Sequence, residues 1–311
     1  MVKIDTRTLA LTNIWEKATT SFVQSPSQKI YARAVDGELR VFDIDSGASE
    51  GIWSKAVDSY AVASDDRLYA LSTDGDLRVF PNGTGSGDRS VWSKSVKKFE
   101  LTSDGRLYAL ARDGEFRGLG HGDGLDDFGM WSRTVTDFKI GKNDWIYALS
   151  SNSELQWFPW GNGHADRSMW NKPVKSFEIA ADGRLYALAQ DGELRLFNDG
   201  TNLISQGITS ARIKQFAIDP RSTWLWTLSV DGQMDVCPAG NGEGGRRLWN
   251  GSIDRFVIST DGRLYAQAES VVFRVLNGLS NAERVTLAPA TYFELDTLGL
   301  KIRLLDSEQL V

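Results

Sequence analysis

Cys237 is the only cysteine in the chain, so no disulfide can form within it and a disulfide-stapled secreted fold is excluded. Long apolar runs are missing too, and no stretch approaches the roughly 18 residues of a membrane span. The opening MVKIDTRTLALTNIW carries charged residues where a signal peptide would have its apolar stretch, which points to a cytoplasmic protein. Clustered Lys and Arg are lacking in a chain of net charge −6. Nucleic acid and anionic membrane surfaces are therefore not expected as partners, since both need local basic charge.

Catalytic signatures are equally scarce. There is no nucleophile elbow, no HExxH and no phosphate loop, so neither an enzyme nor a cofactor is expected. His121 and His164 are the only histidines. A metal site from His121, Asp123 and Asp127 is conceivable. However, HGDGLDD lacks the closing Glu of a calcium loop, and ordinary loop polarity accounts for these residues better.

What the chain does have is repetition. An aromatic recurs at Phe22, Tyr60, Phe99, Phe138, Phe177, Phe216 and Phe256, in steps of 38 to 40 residues. Seven residues earlier stand Trp15, Trp53, Trp92, Trp131 and Trp170, then Thr209 as the exception, then Trp249. Nine residues later stand Tyr31, Tyr69, Tyr108, Tyr147, Tyr186 and Tyr265, while the sixth unit carries Trp226, displaced by one insertion. Three features in register over seven units define one structural unit repeated along the chain.

The unit WNKPVKSFEIAADGRLYALAQDGELRLF spells out strands and turns. VKSFEIA, RLYALA and ELRLF read as strands, separated by the hairpin dipeptides Asp182-Gly183 and Asp191-Gly192. A longer Gly-rich segment follows, and the residues around the next Trp make a fourth strand. RLYALA is apolar on both phases of its alternation, so both faces of the sheet are expected to be buried between neighbours. The expectation is an all-β fold: a seven-bladed β-propeller of four-stranded antiparallel blades, over residues 1–280, with units starting near 15, 53, 92, 131, 170, 209 and 249. The last blade, Ile253 to Leu276, lacks a fourth strand, which the N-terminal strand around Trp15 is expected to supply as it closes the ring. Residues 281–311 do not carry the repeat and read as a tail. Their segment YFELDTLGLKIRLL resembles a hairpin packed on the propeller, or an irregular eighth blade.

The string FEIAADGRLYALAQDGELRLF resembles NHL and PQQ-type propeller repeats without their full signatures. The overall layout of a Trp, an F-x-[IL] strand and a D/N-G-x-LY-A strand is most similar to tectonin and tachylectin-type lectin propellers. That resemblance implies binding of glycans or glycoproteins at several equivalent sites.

The residues that the skeleton does not need are the candidates for such sites. The first turn of the unit supplies Arg106, Arg184 and Arg263, each after Asp-Gly. The long Gly-rich loop supplies Asp88 and Arg89, Asp127, Asp166 and Arg167, and Arg246. Trp160 occupies a loop position held by Asn82 in the second unit. Carboxylates, guanidinium groups and an aromatic edge suit a sugar, and several weak sites on one rigid body gain avidity. The opposing expectation is that Asp-Gly serves hairpins and that Asp-Arg pairs bridge blades. A multivalent lectin is therefore read beside a protein-interaction scaffold, whose patch is expected near Trp145, Trp157, Trp160, Trp224 and Trp226.

Overall fold

The computed structural model describes residues 2–4, 11–13, 15–44, 46–123, 126–159, 161, 163, 167–198, 200–201, 204–219, 222–249, 252–258, 264–268, 271–276 and 281–284. No helix occurs among them. Seven four-stranded antiparallel sheets follow one another along the chain, and a separate two-stranded sheet joins Val2–Ile4 to Leu11–Asn13. Within each of the seven, the strand order in space is the order in sequence, so every connection is a hairpin between neighbours.

The fifth sheet shows how the sequence builds one. Val174–Ile179, Leu185–Ala189, Leu194–Phe197 and Ser205–Gly207 pair in turn, in the places where alternation and Asp-Gly turns put them. The fourth strands of the other sheets are Ser49–Gly51, Arg89–Ser90, Asp127–Trp131, Arg167–Ser168, Arg246–Trp249 and Asn281–Arg284. In sheets one to six the first strand slips register by one residue near its start, as between Val174 and Ser176. Such a bulge turns the strand entry without disturbing the apolar alternation that follows.

The chain divides into two compact units. One comprises Met1–Ile140, Asp144–Ser151 and Phe158–Asp166; the other comprises Gly141–Asn143, Asn152–Trp157 and Arg167–Val311. Within the first, sheets one and two bury Tyr31, Leu39, Val57, Leu68 and Phe80 between them. Sheets two and three bury Tyr69, Leu71, Phe99 and Leu107. Within the second, sheets five and six share Tyr186, Leu196, Phe216 and Leu225. The second strands Leu68–Ser72, Leu107–Ala111, Ile146–Ser150, Leu185–Ala189 and Leu225–Ser229 are buried at every residue, as the two-phase apolar pattern of RLYALA requires.

Two repeated contacts tie consecutive sheets together. The first uses the second hairpin turn. The carbonyls of Gly37, Gly75, Gly114, Ser153, Gly192 and Gly232 accept the N–H that opens the next sheet, at Val57, Val96, Val135, Val174, Ile213 and Ile253. Each of these turn residues has positive φ, and glycine adopts it at no steric cost; Ser153, at 66°, is the exception.

The second contact uses the repeated tyrosine. The hydroxyls of Tyr31, Tyr69 and Tyr108 donate to the carbonyls of Gly83, His121 and Gly161 in the long loop of the following sheet, at 3.0, 2.8 and 2.7 Å. In the sequence this tyrosine is a mark of the repeat; in the structure it is a tether. Burial pushes the Tyr31, Tyr69 and Tyr186 phenols up to about 12. The Tyr186 hydroxyl is buried with no hydrogen-bond partner among the described residues. Tyr108→Phe should therefore lower stability by about 1–2 kcal/mol by orphaning a buried carbonyl, whereas Tyr186→Phe should cost nothing or stabilise slightly. Denaturant melts of the two variants check this contrast.

The last sheet differs from expectation. Its fourth strand is Asn281–Arg284, which pairs with Val271–Leu276. The N-terminal strand Leu11–Asn13 pairs instead with Val2–Ile4, and Trp15 lies outside any strand. The segment after Leu276 carries no Trp, so the repeat is silent there although the backbone still completes the sheet. The expected hairpin of the tail, YFELDTLGLKIRLL at residues 292–305, lies outside the described residues.

Candidate functional site

In sheets two, three and five the arginine of the first turn folds back onto the aspartate two residues before it, the candidates Arg106 and Arg184 among them. Arg67 meets Asp65 at 2.7 Å, Arg106 meets Asp104 at 2.9 Å and Arg184 meets Asp182 at 2.7 Å. The carboxylate then aims the guanidinium at the next sheet. Arg67 donates to the His121 carbonyl at 2.7 Å and to His121 Nδ1 at 2.9 Å; Arg184 donates to the Ala239 carbonyl at 2.6 Å. The side chain of Arg67 holds Asp65 below the usual carboxylate range. Asp66 and Asp144 accept the backbone N–H of Ser27 and Ser103 in the preceding sheet, at 3.1 and 2.7 Å. Loop aspartates and arginines are thus joints between consecutive sheets.

The long loop tells a similar story. Asp88 is bound by Arg78 of the neighbouring strand, and Asp127 by Arg117 at 2.6 Å. Arg89 and Arg246 lie exposed on the outermost strands of sheets two and six, cross-strand from Val79 and Val236. Arg167, at the same register in sheet four, places its guanidinium 5.6 Å from the Trp157 ring centre. Asp166, Trp160 and Arg263 lie outside the described residues. His121 Nδ1 faces the guanidinium of Arg67. Trp157 and Trp226 are only 5% exposed, so of the tryptophan patch these two are core. Trp224 packs 6.1 Å from Trp226 and is half-buried.

The repeated Trp of the unit is packing as well. Trp53 and Trp170 meet Phe80 and Phe197 edge-on at 5.9 and 6.1 Å, with Arg78 and Arg195 over their rings.

Two clusters escaped the sequence reading. The first sits at the second turn. Lys17, Lys55, Lys94 and Lys172, each two residues after the repeated Trp, pair with Asp36 and Glu38, Asp74 and Asp76, Asp113 and Glu115, and Asp191 and Glu193. The Ser72 hydroxyl and then Lys55 bring Asp74 down to about 2. Its signal in the sequence is Trp-x-Lys followed by Asp-Gly-[Asp/Glu]-x-Arg, polar positions that lie between the hydrophobic ones defining the repeat. The second lies on the first strands of sheets three and four. Lys98 reaches Glu100 at 2.8 Å and Asp137 at 3.1 Å, and donates to the Phe138 carbonyl. Burial acts to lower the Lys98 pKa, but the two carboxylates outweigh it and the net shift is upward. These contacts stitch first strands that share no backbone ladder.

No protein-family model matches the chain, and no curated protein does. Among solved structures, the C-terminal WD40 domain of Sif2 is similar at 15% identity and TM-score 0.50, covering 85% of each chain. The Cps50 (Swd1) β-propeller domain of Myceliophteria thermophila is similar at 10% identity and TM-score 0.48, over 80% of this chain and 95% of that one. BamB from Moraxella catarrhalis follows at 16% identity and TM-score 0.46, over 83% and 82%. At such identities the likeness to the Sif2 domain speaks for fold alone: the seven sheets are the four-stranded antiparallel blades of a β-propeller.

Proposed function

We propose that this propeller is an interaction scaffold that binds protein partners. The observation that carries the reading is the fate of the repeated polar residues. A sugar site was inferred because the fold did not need them, yet Asp88, Asp127, Arg106 and Arg184 each engage a residue of the fold. A guanidinium already neutralised and aimed at a backbone carbonyl has little left for a neutral hydroxyl ligand. Large apolar side chains remain exposed instead: Phe22 at 68% on the first strand of sheet one, and Val35 at 55%, Val230 at 52% and Ile204 at 59% in turns and bends. Scattered exposed aliphatics are ordinary on any surface, but on a stiff repeated frame they suit a protein partner better than a sugar.

A cytoplasmic, non-catalytic role belongs to the same proposal. In cell extract, cross-linking followed by reconstitution with the purified partner tests it. Saturable binding unaffected by free monosaccharides is expected. Binding only to glycans, reversed by free sugar, would return the multivalent lectin reading to first place.

A further inference from the structure

The two-stranded sheet of Val2–Ile4 and Leu11–Asn13 has the layout of half a blade. Its stretch MVKIDTRTLALTNIW lies 38 residues ahead of LRVFDIDSGASEGIW, the third and fourth strands of blade one, and aligns with it without a gap. Asp5 and Asp43, Ile14 and Ile52, and Trp15 and Trp53 coincide. The backbone keeps the same register. Val2, Lys3 and Ile4 pair with Asn13, Thr12 and Leu11, and 38 residues on Arg40, Val41 and Phe42 pair with Gly51, Glu50 and Ser49.

The passage into blade one is also the ordinary one. Trp15 meets Phe42 at 5.5 Å, as Trp53 meets Phe80 at 5.9 Å. Lys17 pairs with Asp36 and Glu38, as Lys55 does with Asp74 and Asp76. Blade one is therefore preceded by a third and a fourth strand that lack a first and a second among the described residues.

Blade one shows what is missing. On its first strand Phe22 is 68% exposed, whereas Phe99, Phe138, Phe177, Phe216 and Phe256 at the same position are at most 8% exposed. Phe99 packs with Tyr69 and Leu71, Phe138 with Tyr108 and Leu110, and Phe256 with Trp226 and Leu228. Each pair comes from the second strand of the preceding blade. Nothing equivalent covers Phe22 among the described residues.

The tail carries the absent strands in its sequence. Phe293 follows Phe256 by 37 residues, with Thr286 seven before it, as Thr209 stands in unit six, and Ile302 nine after it. Gly299 follows Phe293 by six residues, as Gly105 follows Phe99 and Gly183 follows Phe177. FELDTLGLKIRLL so overlays FEIAADGRLYALA, which is strand, turn and strand in blade five. The missing Trp hides the match.

We propose that residues 290–305 of this chain are the first and second strands of an eighth blade whose third and fourth strands are Val2–Ile4 and Leu11–Asn13. Ile302 and Leu304, at the positions of Tyr186 and Leu188, then cover Phe22. The blade closes an open apolar face and pairs the free edge of Val2–Ile4, both of which otherwise invite aggregation. Phe22 then belongs to the fold and not to a partner surface.

The register can be tested directly. In blade one Tyr31 is cross-strand from Val41 and Ala32 from Arg40, which sets Ile302 opposite Lys3 and Arg303 opposite Val2. The full chain carrying Val2→Cys with Arg303→Cys is oxidised at high dilution and its bridges are mapped by mass spectrometry. A disulfide within one chain is expected, because cross-strand partners lie within bridging distance. Val2→Cys with Ile302→Cys should bridge at least about tenfold less, since neighbours on a strand leave opposite faces. Phe22→Ala should lower the melting temperature by at least about 5 °C, and Leu304→Ala should cost less in that variant than in the wild type. Should Phe22→Ala fail to fold, the cysteine pairs decide. Melting of Phe22→Ala within about 1 °C of wild type would leave the face open and overturn the proposal. Equal bridging by both cysteine pairs, or by neither, would overturn the register and the blade with it. A bridge joining two chains would also overturn it, making this face an interface between copies.

Discussion

Phe138→Ala is expected to lower stability by about 3–5 kcal/mol, more than any surface change in the molecule. Phe138 is completely buried, its ring 4.5 Å from that of Phe116. It packs with Tyr108, Met130, Ile146 and Phe158, so truncation leaves a cavity lined from blades three and four. The ammonium of Lys98 lies 4.9 Å from the ring centre and would lose that partner as well. Urea unfolding at neutral pH reads the effect as a fall in midpoint. A variant within ~1 kcal/mol of wild type would mean that blades three and four do not share this core.

Gly232→Ala is the second large effect, expected at about 2–3 kcal/mol. Gly232 has φ of 76°, and a Cβ there would stand 2.9 Å from Ile253 N and Ser252 Cα. Both are backbone atoms, so the clash can be relieved only by moving the strand entry of blade seven. That movement would break the hydrogen bond from Ile253 N to the Gly232 carbonyl. Blade four supplies the reverse experiment. Ser153 holds the same turn position at φ 66°, and Ser153→Gly should stabilise by up to about 1 kcal/mol. Melting temperatures of the pair should move in opposite directions.

The fold was legible because the unit repeats its hydrophobic phases. Phe177, Tyr186 and Asp191-Gly192 announce strand, strand and turn by periodicity and turn chemistry alone. What the repeat could not show was the fourth strand of blade seven, because Asn281–Arg284 has neither the Trp nor the alternation of its counterparts. Nor could it show the fate of the polar extras. Arg184 reads in sequence as a candidate ligand-binding cation. Only the following blade, some fifty residues on, supplies the Ala239 carbonyl that holds it, as the His121 carbonyl holds Arg67. Long-range pairing of that kind leaves no local pattern.

The claim on which the functional reading turns is that these arginines serve the fold. It is tested most directly by measuring the melting temperature and the ligand binding of Arg67→Ala with Arg184→Ala. The account predicts a lower melting temperature, because two side-chain-to-carbonyl contacts between blades are lost, with partner binding retained at temperatures where the variant stays folded. A variant that melts like the wild type but no longer binds a ligand would contradict it, and would restore the loop arginines as a binding site.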